Sequence, residues 1–308
     1  MNLVAVLIPC YNEAIAIASV IQQFKTALPQ ATIYVYDNNS TDQTSAIARS
    51  QGAIVRCEYD KGKGNVVRRM FADVEADIYV LVDGDDTYDA TQSPLLIQRL
   101  IDDNLDMVIG AREEINTDDK YAVYRVGHRF GNRLFSALIG WLFGKKFTDV
   151  FSGYRVFSRR FVKSFPAESN GFDIETELSI HSLEQRIATV EIKTAYRARP
   201  EGSVSKLNSY KDGFKILMRI IVLLKQVRPL LLFGCLFILF AFCSLILFFP
   251  ILIDYLHTGL VNRFPTAILS TGLMLLGFMC LGCGLILDNV CKVRKEIKRL
   301  FYLTSRLR

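Results

Sequence analysis

The chain has 308 residues, enough for one large domain or two smaller ones. A hydrophobic content of 51% and a positive mean hydropathy are high for a wholly soluble protein, and no internal repeat or low-complexity segment is visible. The formal net charge of +6 reflects largely the C-terminal tail, which suits anionic lipid headgroups better than nucleic acid.

In chain order, Leu3 to Pro9 is a continuous apolar run ended by proline, the pattern of a buried parallel strand. The N-terminus lacks a basic start and runs straight into this strand, so no signal peptide is expected. A helix is predicted from about Glu13 to Ala27 and a strand over Thr32 to Asp37, with Ser40 or Thr41 capping the next helix. Ala53 to Cys57 reads as a third strand, Asn65 to Ala72 as a helix and Asp77 to Val82 as the fourth strand. A helix over roughly Thr91 to Ile101 and a fifth strand at Asp106 to Ile109 follow. This alternation implies an α/β fold, a doubly wound sheet that places ligands at the carboxyl ends of its strands. Polar residues gather at those ends: Asn12 and Glu13, Asp37 to Ser40, Asp60 and Lys63, Asp83 to Asp86.

Beyond Arg112 the pattern loosens into a basic, aromatic stretch. Arg125, Arg129 and Arg133 recur every four positions and share one face if this stretch is helical. They form either a phosphate-binding row or a solvated basic stripe. His128 reads as a headgroup contact, a core contact or an acid. A helix is predicted at about Phe172 to Arg186 and a strand near Val190 to Tyr196. Glu175 and Glu177 read either as catalytic carboxylates or, with the donor-side aspartates better placed, as helix-surface glutamates, and Glu177 with His181 finds no further metal ligand nearby. Asp212 to Arg228 mixes cations with large apolar residues, as in a helix lying along a membrane surface or an amphipathic helix facing a core.

Two uncharged segments follow, Pro229 to about Ile253 and Phe264 to Leu287. Each can cross a hydrocarbon core, which takes about 20 helical residues. The short link Asp254 to Arg263 makes them a hairpin with everything else on one side. Lys225 and Arg228 before the hairpin, and the cations from Lys292 to Arg308 after it, place that side in the cytoplasm. Scattered cysteines agree with a reducing compartment, and the Cys280-x-x-Cys283 pair within the second span reads as small-residue helix packing.

The stretch YVLVDGDDTY (79–88) ends a strand with three crowded carboxylates. Asp83 and Asp85 either meet a hard cation such as Mg2+ or Mn2+, leaving positions for a diphosphate, or form an Asp-Gly turn. Asp37 either holds a nucleobase or ribose or belongs to a turn. Gly62-Lys63-Gly64 opens a helix, where backbone N–H groups and an ammonium can meet phosphate, but it lacks the P-loop spacing.

Together VLIPCYNE, VYDNNSTDQT, DKGKGN and LVDGDD resemble the successive nucleotide-binding elements of family-2 glycosyltransferases of the GT-A fold. DVFSGYR (149–155) and RPEGSVSK (199–206) are similar to acceptor-side motifs of the polyprenyl-phosphate glycosyltransferases, and the resemblance covers about residues 3 to 215. It implies that Pro9, Tyr11, Glu13 and Asp37 hold the nucleoside, that Lys63 lies near the donor, and that Asp83 and Asp85 belong to the metal-and-diphosphate motif. It also implies that Ser152 and Arg155 belong to the acceptor block, and Arg199, Ser205 and Lys206 to a loop near the phosphates, with Arg199 counted as catalytic beside the two aspartates. Asn38 departs from the second aspartate of many relatives, and Asp86 is an additional carboxylate without an assigned role.

The expected organisation is a GT-A domain over 1–211, a juxtamembrane helix over 212–228, a transmembrane hairpin over 229–287 and a basic tail over 288–308. The expected activity is inverting transfer of one sugar from a UDP- or GDP-linked donor to a polyprenyl phosphate, at the cytoplasmic face of a bacterial inner membrane. The partners are the nucleotide-sugar, the polyprenyl phosphate and the bilayer, with no nucleic acid and with homo-oligomerisation left open. A polysaccharide-extending synthase is the second reading, but no Gln-x-x-Arg-Trp element is present and Trp141 is the sole tryptophan. A non-catalytic assembly partner of the same fold is the third.

Overall fold

The computed structural model describes residues 2–114, 137, 139–144, 147–167, 171, 174–197, 222 and 224–305. The chain divides into two compact units, Met1–Ser209 with Lys298–Arg308, and Tyr210–Ile297.

Among the described residues the first unit holds seven strands, β1 (Val4–Cys10), β2 (Thr32–Asp37), β3 (Ile54–Cys57), β4 (Ile78–Leu81), β5 (Met107–Glu114), β6 (Arg155–Ser158) and β7 (Thr189–Tyr196). Its helices are α1 (Ile17–Ala27), α2 (Thr44–Ser50), α3 (Lys63–Asp73), α4 (Ser93–Asp102), α5 (Arg159–Ser164) and α6 (Ile174–Glu184). The strands form one sheet in the order β3-β2-β1-β4-β6-β5-β7. The pairs among β1 to β4 are parallel, and β5 runs parallel to β7, but β6 lies antiparallel between β4 and β5. The sheet is therefore mixed, a doubly wound α/β arrangement as expected, with β6 reversed within it.

The apolar run of β1 is buried on both faces, as a central strand requires. Val6, Ile8 and Cys10 point to the face covered by Ile17, Val20, Ile21 and Phe24 of α1 and by Leu96 and Leu100 of α4. Those α1 positions follow the i, i+3, i+4, i+7 spacing of one helical face. Elsewhere an aromatic cluster joins Phe71 to Tyr79 and Phe157, with ring centroids 6.5 and 5.7 Å apart, and Phe157 stacks on Phe161 at 4.8 Å.

Several boundaries differ from expectation. The α1 helix begins at Ile17, because residues 13–16 form a turn in which the Glu13 carbonyl accepts from the amides of Ala16 and Ile17. Ser40 and Thr41 do not cap α2; they bind the loop after β1. The β5 strand extends to Glu114, paired residue for residue with β7.

In the second unit α7 (Pro229–Thr258) has 30 residues. The helix α8 (Phe264–Thr304) has 41 and runs on through the region expected to be a separate tail. At 1.5 Å per residue these are about 45 and 60 Å long, and both are long and apolar enough to cross a membrane. Glycines allow the two helices to approach. A Cβ on Gly284 would lie 2.9 Å from that of Phe233, and one on Gly277 would lie 3.3 Å from the Phe237 ring. The Ser244 hydroxyl donates to the Ser270 carbonyl at 2.7 Å.

The end of α8, from Lys298, belongs to the first unit. There the Tyr302 hydroxyl donates to Asp106 at 2.6 Å, and the same buried carboxylate takes Ser158 at 2.6 Å and Arg160 at 2.6 and 3.1 Å. Arg160 and Arg299 sit over the Tyr302 ring at 4.4 and 5.0 Å. Charges expected to grip lipid are, at Arg299, committed to protein, since its guanidinium also donates to the Gln185 carbonyl.

Candidate active site

The carboxyl ends of β1, β2 and β4 and the loop leading into α3 meet on one edge of the sheet. The loop after β1 is stitched to the loop after β2. The Asn12 amide donates to Ser40 at 2.8 Å, Glu13 to Thr44 at 2.9 Å and Ala14 to Asp42 at 3.2 Å, while Thr41 donates back to the Asn12 side chain at 2.8 Å. Asn12 and Asn39 take left-handed conformations with φ of 52° and 62°, which asparagine tolerates better than most residues. Pro9 is buried, Tyr11 is exposed, Glu13 is half-buried, and Asp37 is buried with its carboxylate receiving the Ser40 amide at 3.3 Å. These four expected nucleoside contacts therefore share neighbouring strand ends.

Asn38 has a structural use for every side-chain polar atom. Its amide donates to the carbonyls of Glu58 and Asp60 at 2.9 and 2.8 Å, and its oxygen accepts from Gly62 at 2.7 Å. An aspartate cannot make the two donations. Gly62, at φ 129°, turns the chain into α3 in a region that side chains avoid, and the Gly64 amide donates to the Gly171 carbonyl at 3.1 Å.

Lys63, the first residue of α3, reaches across the sheet edge. Its ammonium donates both to Asp83, after β4, and to Glu175 in the first turn of α6. Burial works against the charge, but the two carboxylates outweigh it and raise the ammonium above its ordinary range. Glu175 is 5% exposed, so the reading of it as a surface glutamate is corrected. The polar run around it gave no apolar stripe from which its burial could be read, since α6 buries Ile174, Glu175, Thr176, Leu178 and Ser179 in succession.

The register explains the position of Asp83. Leu81 pairs with Arg155 across the antiparallel β4–β6 ladder, so two residues further out Asp83 faces Gly153. A Cβ on Gly153 would collide with the Asp83 carboxylate, coming within 3.0 Å of its Cγ. Gly84 is pressed in the same way, since its Cβ would lie 2.6 Å from the Cys10 sulfur. Asp85 is buried and accepts from the Thr87 hydroxyl at 2.6 Å. Asp86, at φ 60°, accepts from Gln23 of α1 at 2.7 Å, which gives this additional carboxylate a role in the turn.

The block after Val150 requires a correction. Ser152 is fully buried and donates to the Gly110 carbonyl at 2.5 Å. Arg155 is likewise fully buried, and donates to the carbonyls of Ser152 and Val150 at 2.9 and 2.7 Å and to the Ser179 hydroxyl at 2.9 Å. Burial pushes its guanidinium down to about 10 against the pull of Glu175 and Asp149, so it stays charged at neutral pH. Neither side chain reaches a surface where an acceptor phosphate could meet it; both brace the segment that carries Gly153. Next to it Arg112 grips Asp149 through two bonds of 2.7 Å and lies over the Tyr196 ring at 5.5 Å. Burial raises Asp149, but Arg112 more than offsets this and holds the carboxyl below its ordinary range. The Tyr88 hydroxyl accepts the Gly153 amide at 2.9 Å. Arg112, Asp149 and Tyr88 stand a step behind Asp83, and no local sequence pattern joins them.

Arg125, His128, Arg129, Arg133, Arg199, Ser205 and Lys206 lie outside the described residues, as does most of the helix expected over Asp212–Arg228. His181 is buried between the Phe161 and Phe165 rings, at 5.6 and 5.3 Å, and its ring nitrogens have no hydrogen-bond partner among the described residues.

The mixed sheet with its strand-end carboxylates is of the GT-A type. It resembles glucosyl-3-phosphoglycerate synthase from Mycobacterium tuberculosis, with a TM-score of 0.58 and 24% identity over 72% of this chain and 79% of that one, a protein also solved with Mn2+ and UDP. The sequence profile "Glycosyl transferase family 2" matches residues 5–165. AglJ, a glycosyltransferase of Haloferax volcanii, is 31% identical over 304 residues, covering 96% of this chain and 97% of that protein. A dolichyl-phosphate hexose transferase of the same organism is 29% identical over 213 residues, or 69% of this chain and 90% of that protein. The chain belongs to glycosyl transferase family 2, and it is a glycosyltransferase.

Proposed function

We propose that the protein moves one sugar from a nucleoside-diphosphate sugar to a polyprenyl phosphate at a membrane surface. The observation that carries this reading is the joining, in one family-2 chain, of a carboxylate-lined strand edge to two helices apolar enough to cross a bilayer. The likeness to a protein named a dolichyl-phosphate hexose transferase supports the acceptor class. The cations flanking the helices support a cytoplasmic catalytic unit.

The donor end is assigned to Pro9, Tyr11, Glu13 and Asp37 for the nucleoside and Lys63 for the phosphates. Asp83 and Asp85 fit a hard divalent cation. They supply two carboxylates, and among the described residues no group of three or more His, Cys, Asp or Glu forms a closed cage. Mg2+ and Mn2+ are commonly bound in this way, by one or two carboxylates plus substrate phosphates. When bound, the ion supplies stabilisation of the negative charge that grows on the departing nucleoside diphosphate. The protein's own task is to hold Asp83 against Gly153 and Asp85 against Thr87, so that little reorganisation is needed when charge develops.

The acceptor needs little help as a nucleophile. A phosphate monoester has a second pKa of about 6 and is mostly dianionic at neutral pH. Arg125, Arg129, Arg133, Arg199 and Lys206 are assigned to neutralise it, with Ser205 donating a hydrogen bond, and to align it behind the anomeric carbon, which gives inversion.

The test is incubation of the detergent-solubilised protein with labelled UDP- and GDP-sugars and undecaprenyl phosphate, with and without EDTA. Label should pass to the lipid phase with inverted anomeric configuration and stop with EDTA. Retained configuration, or label that stays in water with every donor, refutes the reading.

A further inference from the structure

Lys63 stands between two carboxylates that belong to different parts of the fold, Asp83 at the end of β4 and Glu175 on α6. A buried ammonium needs only one carboxylate for neutrality, and the second, Glu175, also lies in the field of the buried Arg155 guanidinium. Side-chain exposures are 10% for Lys63 and 6% for Glu175, while Asp83, at 28%, is the member of the trio that solvent reaches. Asp83 is also hemmed in. Its Oδ1 takes the ammonium, and its Oδ2 faces the backbone of Gly153, where even a methyl group has no room. Asp85 accepts from the Thr87 hydroxyl. A cation that binds Asp83 through Oδ1 competes there with Lys63, and a displaced ammonium keeps a partner in Glu175.

We propose that Lys63 is an internal cation that stands on Asp83 until the divalent ion and donor diphosphate arrive. Glu175 is then the positioning residue that retains the ammonium when Asp83 changes partner. The exchange leaves Lys63 tethered beside Asp83 with a donor released toward the incoming phosphates. It also couples α6 to donor loading. This inference rests on the assignment of Asp83 to a divalent ion.

The experiment is a Mn2+ titration of the full-length protein in detergent, without sugar donor, reading free Mn2+ by electron paramagnetic resonance. Lys63→Gln removes the competitor and should tighten Mn2+ binding roughly tenfold, the scale of one charge-assisted hydrogen bond. Glu175→Gln leaves Asp83 as the ammonium's sole carboxylate and should weaken Mn2+ binding several-fold. UDP binding in the presence of Mn2+ should weaken in Lys63→Gln. Opposite shifts in the two variants are the signature, since general damage to the site weakens Mn2+ binding in both. If both variants weaken it alike, the internal-cation role is overturned while the divalent assignment stands. If the wild type takes no Mn2+ with or without UDP, both fall. Should Lys63→Gln not fold, as judged by circular dichroism, Glu175→Gln decides alone, and unchanged or tighter Mn2+ binding overturns the proposal.

Discussion

Replacing Asn38 with aspartate tests the loop that delivers Lys63 to the site. The change keeps size and the acceptor for the Gly62 amide, but it turns a donor of two bonds, at 2.9 and 2.8 Å, into an anion facing two carbonyls. Losing two bonds at about 1 kcal/mol each, with about 1 kcal/mol more for buried groups left unpaired, gives a loss of about 3 kcal/mol. For a unit of this size that is a fall in melting temperature of about 6–12 °C. Asn38→Ala loses all three bonds, the acceptor for the Gly62 amide included, but places no charge there, so its penalty should not change between pH 7.5 and pH 5. The sign with pH is fixed. An aspartate facing carbonyls holds its proton more tightly folded than unfolded, so its folded pKa is raised. The penalty is then present above that pKa and shrinks as pH falls through it. Thermal unfolding followed by circular dichroism at pH 7.5 and pH 5, each relative to wild type, measures both effects. A variant within about 0.5 kcal/mol of wild type at pH 7.5, or a penalty that grows on acidification, refutes the role given to Asn38.

Two further outcomes are expected. Tyr302→Phe removes a 2.6 Å bond to buried Asp106 while leaving Arg160 and Ser158 on the carboxylate, so it should lower stability by about 2 kcal/mol. Urea unfolding measures it, and an unchanged midpoint would mean that the end of α8 contributes nothing to the first unit. His181 is pushed from 6.5 down to about 3, first by burial and then by Lys298. Its folded pKa lies below its unfolded one, so the unfolded chain binds the extra proton and stability falls as pH drops below 6.5. His181→Leu should therefore lose less stability than wild type between pH 7 and pH 5, by about 2 kcal/mol, and equal acid sensitivity of the two counts against a buried neutral imidazole.

β1, β2 and β4 were legible because each is an apolar run stopped by proline or aspartate, and their burial leaves that pattern intact, whereas β3 is a short, largely exposed edge strand that carries Arg56. β6 was not legible. Its four residues begin with Arg155, and a fully buried arginine reads as polar loop until its partners at Val150, Ser152 and Ser179 are known. That one strand turns a parallel arrangement into a mixed one, and it also sets Gly153 against Asp83. The length of β5 was hidden for a similar reason, because Arg112 to Glu114 are strand by virtue of pairing with Thr194 to Tyr196, eighty residues away in the chain. Residue type told where donor-side carboxylates gather. Which polar side chain meets which is a matter of long-range register, and so Glu175 passed for an exposed glutamate.

The three crowded aspartates after β4 show how the fold separates like charges that the sequence sets side by side. Asp83 turns to the ammonium of Lys63, Asp85 to the hydroxyl of Thr87, and Asp86, thrown into a left-handed turn, to the amide of Gln23 on α1. Each carboxylate thus has a donor from a different part of the unit, and the repulsion expected of neighbours is met by divergence. The same divergence narrows the chemistry. Asp86 turns away to the amide of Gln23 on α1, which leaves Asp83 and Asp85 as the pair proposed for a divalent ion. Of those two, Asp83 is ion-paired with Lys63, which also holds Glu175, and for that reason the ion's affinity should respond to changes at Lys63 and Glu175 as well as at Asp83 itself.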